Sequence, residues 1–352
     1  MAIINMDNFS IYGTTTALLT QGVYIEENVL SLDPDPDGTS SGYVIRINTS
    51  VSVGLRFANP GGPNATAGIA QRFWATALPA NGVALVGSSR VRGAGNESLA
   101  IAGFTSNGAA RVMIYDASNV LQTVYDTGVP VVTANGWWHS EFKYVKTGTN
   151  TCDFELRVEG QTVASGSGVS CRDIVPAQYV IGQYVSGMNI SQITYFKDLV
   201  MWDGTSSYNN DFLGSVLVTN LVPTSDVALN WTPSTGSTGY EILDNIPPND
   251  AQYLSAGDPP PSPYVAEVSD LPSDVTSVKA IMTRVRAAKT DGGDGSLQVG
   301  VISNGDTALG ANRPITVTMT YWSDVFQTDP DTTAPWLPDA VDDVRLQINR
   351  TL

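Results

Sequence analysis

Along most of the chain, apolar and polar positions alternate with a period of two. That is the pleat of a half-buried strand, not the 3.6-residue period of a helix. The alternation is clear over Tyr43–Asn48, Val83–Val86, Arg111–Asp116, Gln122–Asp126, Trp138–Val145, Asp153–Glu159 and Tyr179–Gly182. These runs are rich in Val, Ile, Thr and aromatic residues, which suit a pleated surface. Short turn signals separate them: Asp116-Ala-Ser-Asn119, Glu159-Gly160, and the pairs Asn81-Gly82, Asn107-Gly108 and Asn135-Gly136. Asn and Gly adopt the positive φ of tight hairpins most readily. Strands punctuated by turns every 8–12 residues or so predict an all-β fold, an antiparallel sandwich.

The pattern loosens after Trp202. Gly204–Asp211 is a polar turn cluster, and Phe212–Val222 is an apolar run interrupted by Gly214. Residues 223–263 carry Trp231-Thr-Pro, Ile246-Pro-Pro and Asp258-Pro-Pro-Pro. A proline run is stiff and extended, as in a spacer or a wrapping arm. Alternation resumes over Tyr264–Val268, Ser277–Ala288, Ser296–Ser303, Ile315–Ser323 and Val341–Ile348. Residues 279–288 could also form a helical turn or two, but the alternation of Ile281, Thr283 and Val285 favours a strand. The organisation predicted is a sandwich over 1–222, a Pro-rich irregular linker or arm over 223–263, and a second, smaller β-sandwich over 264–352.

Composition fits this division. A length of 352 residues suits two cores, and 33 glycines with 20 prolines supply the turns. Eighteen basic against 34 acidic residues leave a net charge of −16. Affinity for nucleic acid comes from cations that displace counterions, so a nucleic-acid partner is not expected. An anionic membrane surface is disfavoured for the same reason. No apolar stretch reaches the length of a membrane span, and the opening MAIINMDNFSIYG lacks the basic and apolar regions of an export signal. Folding in a cytoplasm is the expectation. The single histidine, His139, excludes two-histidine metal motifs within one chain.

Several groups carry candidate chemistry. Asp33, Asp35 and Asp37 alternate before Gly38, like the start of a calcium loop. The twelfth position of such a loop would be Val44, which cannot supply the closing carboxylate, so an acidic turn is the simpler reading, with a weak calcium site completed by distant loops as the alternative. Asp291-Gly-Gly-Asp-Gly295 reads as the loop of a hairpin between 277–288 and 296–303. Alternation sets His139 with Glu141 and Trp137 on one strand face, opposite Trp138, Ser140 and Phe142. A His beside a Glu could act as a base, and Ser40 stands in a Gly-x-Ser-x-Gly match. That match lacks the strand before and the helix after that a nucleophile elbow needs. Asp153 and Glu155 share a face, but the leading carboxylate of a sandwich glycosidase is missing. No catalytic residue and no cofactor are therefore expected, and the chain is read as not an enzyme.

Two features stay open. If Glu159-Gly160 closes a hairpin, Cys152 faces about residue 167 and Cys171 lies about four residues beyond. Two buried free thiols, or a disulfide reached by curling past Ser165-Gly-Ser-Gly168, both fit. Among the seven tryptophans, Trp74, Trp138 and Trp202 lie in strand-like runs and are read as core. Trp231 and Trp336 lie in Pro-rich sequence and are read as exposed anchors, for an interface or a glycan, or as an interdomain latch.

Residues 7–203 resemble the concanavalin A-like (laminin-G-like) lectin/glucanase sandwich. The likeness is carried by Asp7-Asn-Phe-Ser-Ile-Tyr-Gly13, by Gly136-Trp-Trp-His-Ser-Glu-Phe-Lys143, and by Gln192-Ile-Thr-Tyr-Phe-Lys-Asp-Leu-Val-Met-Trp202. The next stretch runs Asp203-Gly-Thr-Ser-Ser-Tyr-Asn-Asn-Asp-Phe-Leu-Gly214, then Trp231-Thr-Pro-Ser-Thr-Gly236 and Asp250-Ala-Gln-Tyr-Leu-Ser255. This order is similar to a group of tailed-bacteriophage virion proteins that carry such a sandwich and a second β-domain. The resemblance implies a structural protein of the virion surface, a capsid decoration, head spike or tail-fibre component. It implies assembly in the host cytoplasm, other virion proteins as partners, a homo-oligomeric state and contact with host-surface glycans. The alternatives are a carbohydrate-binding adhesin without structural duty and, less favoured, a polysaccharide hydrolase. The calcium ligands of sugar-binding relatives have no match here.

Overall fold

The computed structural model of the chain describes residues 3–12, 14, 18–19, 24–27, 30–38, 43–48, 53–59, 62–80, 84–184, 193–257, 262–290 and 292–351. Ser40 with its flanking residues 39–42, the Asn81-Gly82 pair, the 258–261 proline run and Asp291 lie outside them. The chain forms two units. One runs up to Val218, and the other takes Thr219–Leu352 together with the single 3-10 turn Ser10–Tyr12.

The described strands of the first unit are β1 (Ile3–Asp7), β2 (Ile25–Glu27), β3 (Leu30–Pro34), β4 (Tyr43–Asn48), β5 (Val53–Ala58), β6 (Thr66–Ala75), β7 (Leu85–Arg92), β8 (Ser98–Phe104), β9 (Ala109–Tyr115), β10 (Leu121–Pro130), β11 (Trp137–Gly148), β12 (Thr151–Val158), β13 (Gln161–Ser170), β14 (Gln178–Tyr184) and β15 (Ile193–Asp203). They build two antiparallel sheets. The first has the order β13-β12-β11-β6-β15-β4-β3, with β1 also paired to β15. The second has the order β10-β9-β8-β7-β14-β5-β2. The sheets bury facing rows of apolar residues: Ile69, Phe73, Phe142, Tyr144 and Phe154 from the first, and Leu55, Phe57, Phe104, Val112 and Tyr179 from the second. Phe73 and Phe104 stack across the interior with centroids 5.0 Å apart. Each large side chain withdrawn from water contributes about 1.5–3 kcal/mol, so this facing set makes the unit an all-β sandwich. The Glu159-Gly160 turn closes its hairpin as the sequence predicts, both residues taking positive φ.

The second unit contains β16 (Pro223–Ala228), β17 (Thr232–Pro233), β18 (Leu254–Ser255), β19 (Tyr264–Val268), β20 (Ile281–Ala287), β21 (Ser296–Ser303), β22 (Asp306–Leu309), β23 (Arg313–Pro314), β24 (Thr320–Phe326) and β25 (Arg345–Arg350), with short helices α1 (Tyr240–Leu243) and α2 (Pro338–Asp342). A sheet of order β16-β19-β25-β21-β22, with β23 on β21, is joined by ribbons β17–β18 and β20–β24. Val285 and Ala287 of β20 pack against Tyr264, Ala266, Leu297, Val299 and Ile348 of the sheet. The alternation in 279–288 does build a strand. Its partner is distant, however: β20 pairs with β24 and β21 pairs with β25, so the expected hairpin between 277–288 and 296–303 does not form. The stretch 223–263 also departs from a spacer. Its β16 extends the sheet along β19, and α1 starts where Asp226 Oδ1 accepts the Tyr240 amide at 2.9 Å.

Glycine fixes one tight contact in the first sheet. Trp202 lies across Gly68 on the neighbouring strand, and a Cβ there would sit 1.9 Å from its ring. Gly68→Ala is expected to destabilise the protein by about 1–3 kcal/mol through overpacking. A melting temperature unchanged in calorimetry would show that Trp202 can move aside.

Candidate functional site

The outer face of the first sheet collects the polar and aromatic residues that alternation excludes from its core. On β11 these are Trp137, His139, Glu141 and Lys143, and register sets their neighbours. Tyr195, Trp74 and Trp137 lie opposite one another on three adjacent strands, so they form one row across the sheet. Arg46 on β4 continues it beyond Tyr195. The three aromatic side chains are half-buried. Trp74 and Trp137 meet edge to face at 5.9 Å, and Lys197 Nζ sits 4.1 Å over the Trp137 ring. With strands about 4.8 Å apart, the row is roughly 10 Å long.

One step along the strands lies the row Lys197, Arg72, His139. The next holds Val200, Ala70, Glu141 and Arg157. The segment Gly204–Val218 straps across these two rows. The Leu213 amide donates to Glu141 Oε1 at 2.7 Å. Lys143 pairs with Asp211 at 2.7 Å, Arg72 donates to Ser215 Oγ at 2.9 Å, and the Val218 amide donates to Asp198 at 3.0 Å. The Phe212 ring lies 3.7 Å from the Arg157 guanidinium and edge-on to Trp202.

Under the strap His139 and Glu141 are fully buried. Neither ring nitrogen of His139 and not Glu141 Oε2 has a hydrogen-bond partner. Burial, and then the Arg72 charge, hold His139 down at about 4. Burial pushes Glu141 up to about 7, against the Leu213 and Gly214 amides and Arg157. A neutral imidazole and a carboxyl near half-protonation are groups that acid–base chemistry uses. Here they are sealed from any substrate, so the pair suggested by the sequence is a strained seat for the strap.

The other sequence candidates are dispersed. Asp35 is buried against Lys197 at 2.7 Å, Asp33 pairs with Arg46 at 3.5 Å, and Asp37 is exposed. No group of three or more His, Cys, Asp or Glu placed to hold a metal occurs among the described residues. Glu155 is bound by Arg157 and Thr162, and Asp153 by Ser167 and the Gly168 amide. Trp336 corrects its expectation as an exposed anchor. It is 2% exposed, packs with Val301, Val341 and Val344, and donates from Nε1 to Phe326 O at 2.9 Å. Trp231 is half-buried against the cluster around Tyr264 and Val299. Conversely, Trp74 and Trp138 are not core, whereas Trp202 is. The aromatic row was missed because its strands are distant in sequence. The only signal was Trp137 sharing the polar face of its strand.

No protein-family model and no curated protein matches this chain. Solved structures similar to it include an alginate lyase from Chlorella virus, at 11% identity and TM-score 0.43, covering 57% of this chain and 99% of that one. An endo-β-1,4-glucuronan lyase from Trichoderma reesei has 10% identity and TM-score 0.41 over 56% of this chain and 94% of that one. Domain 4 of an extracellular arabinanase from Geobacillus stearothermophilus, solved with arabinotriose, has 11% identity and TM-score 0.38 over 57% and 92%. Likeness at this distance transfers no residue, substrate or reaction. The β-sandwich stands on the sheets of the fold itself, and both the carbohydrate and the virion parts of the sequence resemblance rest on sequence alone. One expectation is corrected: since the similar sandwiches are mainly polysaccharide lyases, reading the chain as not an enzyme is withdrawn.

The buried pair gives a test in pH. The depressed His139 stabilises the fold above pH 6.5, and this is lost as pH falls towards 4. The raised Glu141 stabilises it below pH 4.5, and this is lost as pH rises towards 7. Their slopes oppose one another between pH 4.5 and 6.5. Each spans about 2–3 kcal/mol across that window. In urea melts relative to the parent, Glu141→Gln is expected to gain stability with rising pH and His139→Gln to lose it. Parallel profiles for all three proteins would show that the pair is not oppositely shifted.

Proposed function

We propose that the first unit binds a polysaccharide, with sugar rings stacked on the row Tyr195–Trp74–Trp137. The observation that supports this is three half-exposed aromatic side chains in line on adjacent strands of one rigid sheet. Such rings present a flat apolar face to a pyranose, with Trp137 Nε1 itself buried in the sheet face. At roughly 10 Å the row spans about two sugar residues. Arg46 beyond Tyr195 and Lys197 over Trp137 are already paired with Asp33 and Asp35, so the row itself sets no preference between a neutral and an acidic chain. Whether the bound chain is also cleaved is read in the same experiment.

The test is affinity electrophoresis and calorimetry against alginate, arabinan and a neutral β-glucan, with new chain ends monitored throughout. Binding to at least one is expected, with affinity reduced roughly tenfold or more by Trp74→Ala or Trp137→Ala. Tyr253→Ala, in the second unit, is expected to bind like the parent. Full affinity in both tryptophan variants would overturn the assignment of the row.

A second reading concerns where the protein works. Residues 203–214 carry the similarity to tailed-phage virion proteins, and within the fold they supply the strap. On this reading the chain is a virion surface component, homo-oligomeric, assembled in a host cytoplasm among other virion proteins. The sugar-binding row would then contact host-surface glycans. Gold-labelled antibody on purified particles tests it: label on shell or tail supports the reading, and bare particles that carry the gene overturn it.

A further inference from the structure

The geometry points to Cys152 and Cys171 as a latent disulfide that closes the open end of the β12–β13 hairpin. The straightforward count back from Glu159-Gly160 leaves the two too far apart, but the strands do not pair without interruption. Their register shifts between Cys152 and Phe154 and again between Leu156 and Arg157. The net effect brings Cys152 opposite Val169. Just beyond the strand end, the Cys171 amide donates to Asn150 O at 2.9 Å, which keeps the ladder going. Cys171 is therefore the diagonal neighbour of Cys152, two residues past its direct partner. Cross-strand diagonals stand about 7–8 Å apart, within side-chain reach, which is just beyond the roughly 4.4–6.8 Å that disulfides usually span, so the bond asks for a small movement of the hairpin end.

Both side chains are completely buried free thiols, and they adjoin each other and Tyr144 of β11. Burial, followed by the neighbouring Cys171, pushes the Cys152 thiol up to about 12. A thiol so sealed is a poor nucleophile in the folded protein. The bond would form during folding or when the hairpin end opens. In a small-molecule disulfide such as oxidised glutathione, one cysteine thiolate displaces one glutathione thiol and forms a mixed disulfide. The second cysteine then displaces the other. The protein loses two hydrogens, and two reduced glutathiones leave.

The place suits a covalent clip. β13 is the edge of the first sheet, and its Ser165-Gly-Ser-Gly168 run offers little apolar surface to hold it down. The Glu159-Gly160 turn closes one end of the hairpin and the cysteine pair would close the other.

The experiment refolds the full chain from urea in a buffer of oxidised and reduced glutathione, and in reductant alone. Each sample is denatured, treated with N-ethylmaleimide and weighed intact. The oxidised sample is expected to take up no maleimide, to weigh two hydrogens less, and to yield one linked peptide containing both cysteines. Its melting temperature should lie several degrees above that of the reduced protein. Cys152→Ser should abolish that shift. The proposal is overturned if both thiols remain alkylatable, if each carries a glutathione, or if the linked protein melts below the reduced one.

Discussion

The first sheet depends on one contact made far along the chain, the Leu213 amide on the Glu141 carboxyl. Without it, a sheet bearing Arg72, His139, Glu141, Lys143 and Arg157 on its outer side would simply face water. With it, that side becomes a second interior. Trp202 lies flat over Gly68, Phe212 closes over Arg157, and two titratable groups are held away from their usual protonation. The unpartnered nitrogens of His139 and the free Oε2 of Glu141 each carry a desolvation cost of about 1–3 kcal/mol. Packing of Leu213, Phe212 and Trp202 must exceed that cost for the strap to remain seated. The aromatic row begins one step along the same strands, so the strap and the proposed sugar platform share one rigid support.

Much of this was legible in the alternation. The Trp138–Val145 run set Phe142 on one face and His139 with Glu141 on the other, and that division holds, but the surface or groove position expected for His139 does not, since it is fully buried. The Glu159-Gly160 turn and the strand at 281–287 were legible too, because each is specified locally by turn chemistry or period. What alternation cannot say is what covers the outer side. The strap is more than 60 residues from Glu141, has no periodicity, and reads as a polar turn cluster followed by an apolar run. The same limit hid the pairing of β20 with β24.

The tryptophans show the difference most directly. Proline-rich surroundings suggested exposure for Trp336, yet prolines only shape the backbone and say nothing of what packs on a ring. Trp336 anchors a core with α2 and β21. Strand-like surroundings suggested burial for Trp74, yet in a sandwich every second strand position faces outward. The row with Trp137 and Tyr195 needs three strands, from residues 66–75, 137–148 and 193–203, to be adjacent. The cysteines make the same point, since two small register shifts decide whether they are neighbours.

The short turn Ser10–Tyr12 has a consequence for dissecting the chain. It belongs to the second unit although it lies more than 200 residues upstream. There Tyr12 is buried, its hydroxyl receives Arg284 Nη1 at 2.7 Å, and the Tyr321 hydroxyl donates to Ile11 O at 3.0 Å. A fragment beginning at Thr219 would be cut from one of its own pieces. Arg284 and Tyr321 would lose native partners, and an apolar socket would open beside β20 and β24. The second unit is thus interleaved with the first in sequence, and a recombinant second unit would have to carry Ser10–Tyr12 as a grafted segment.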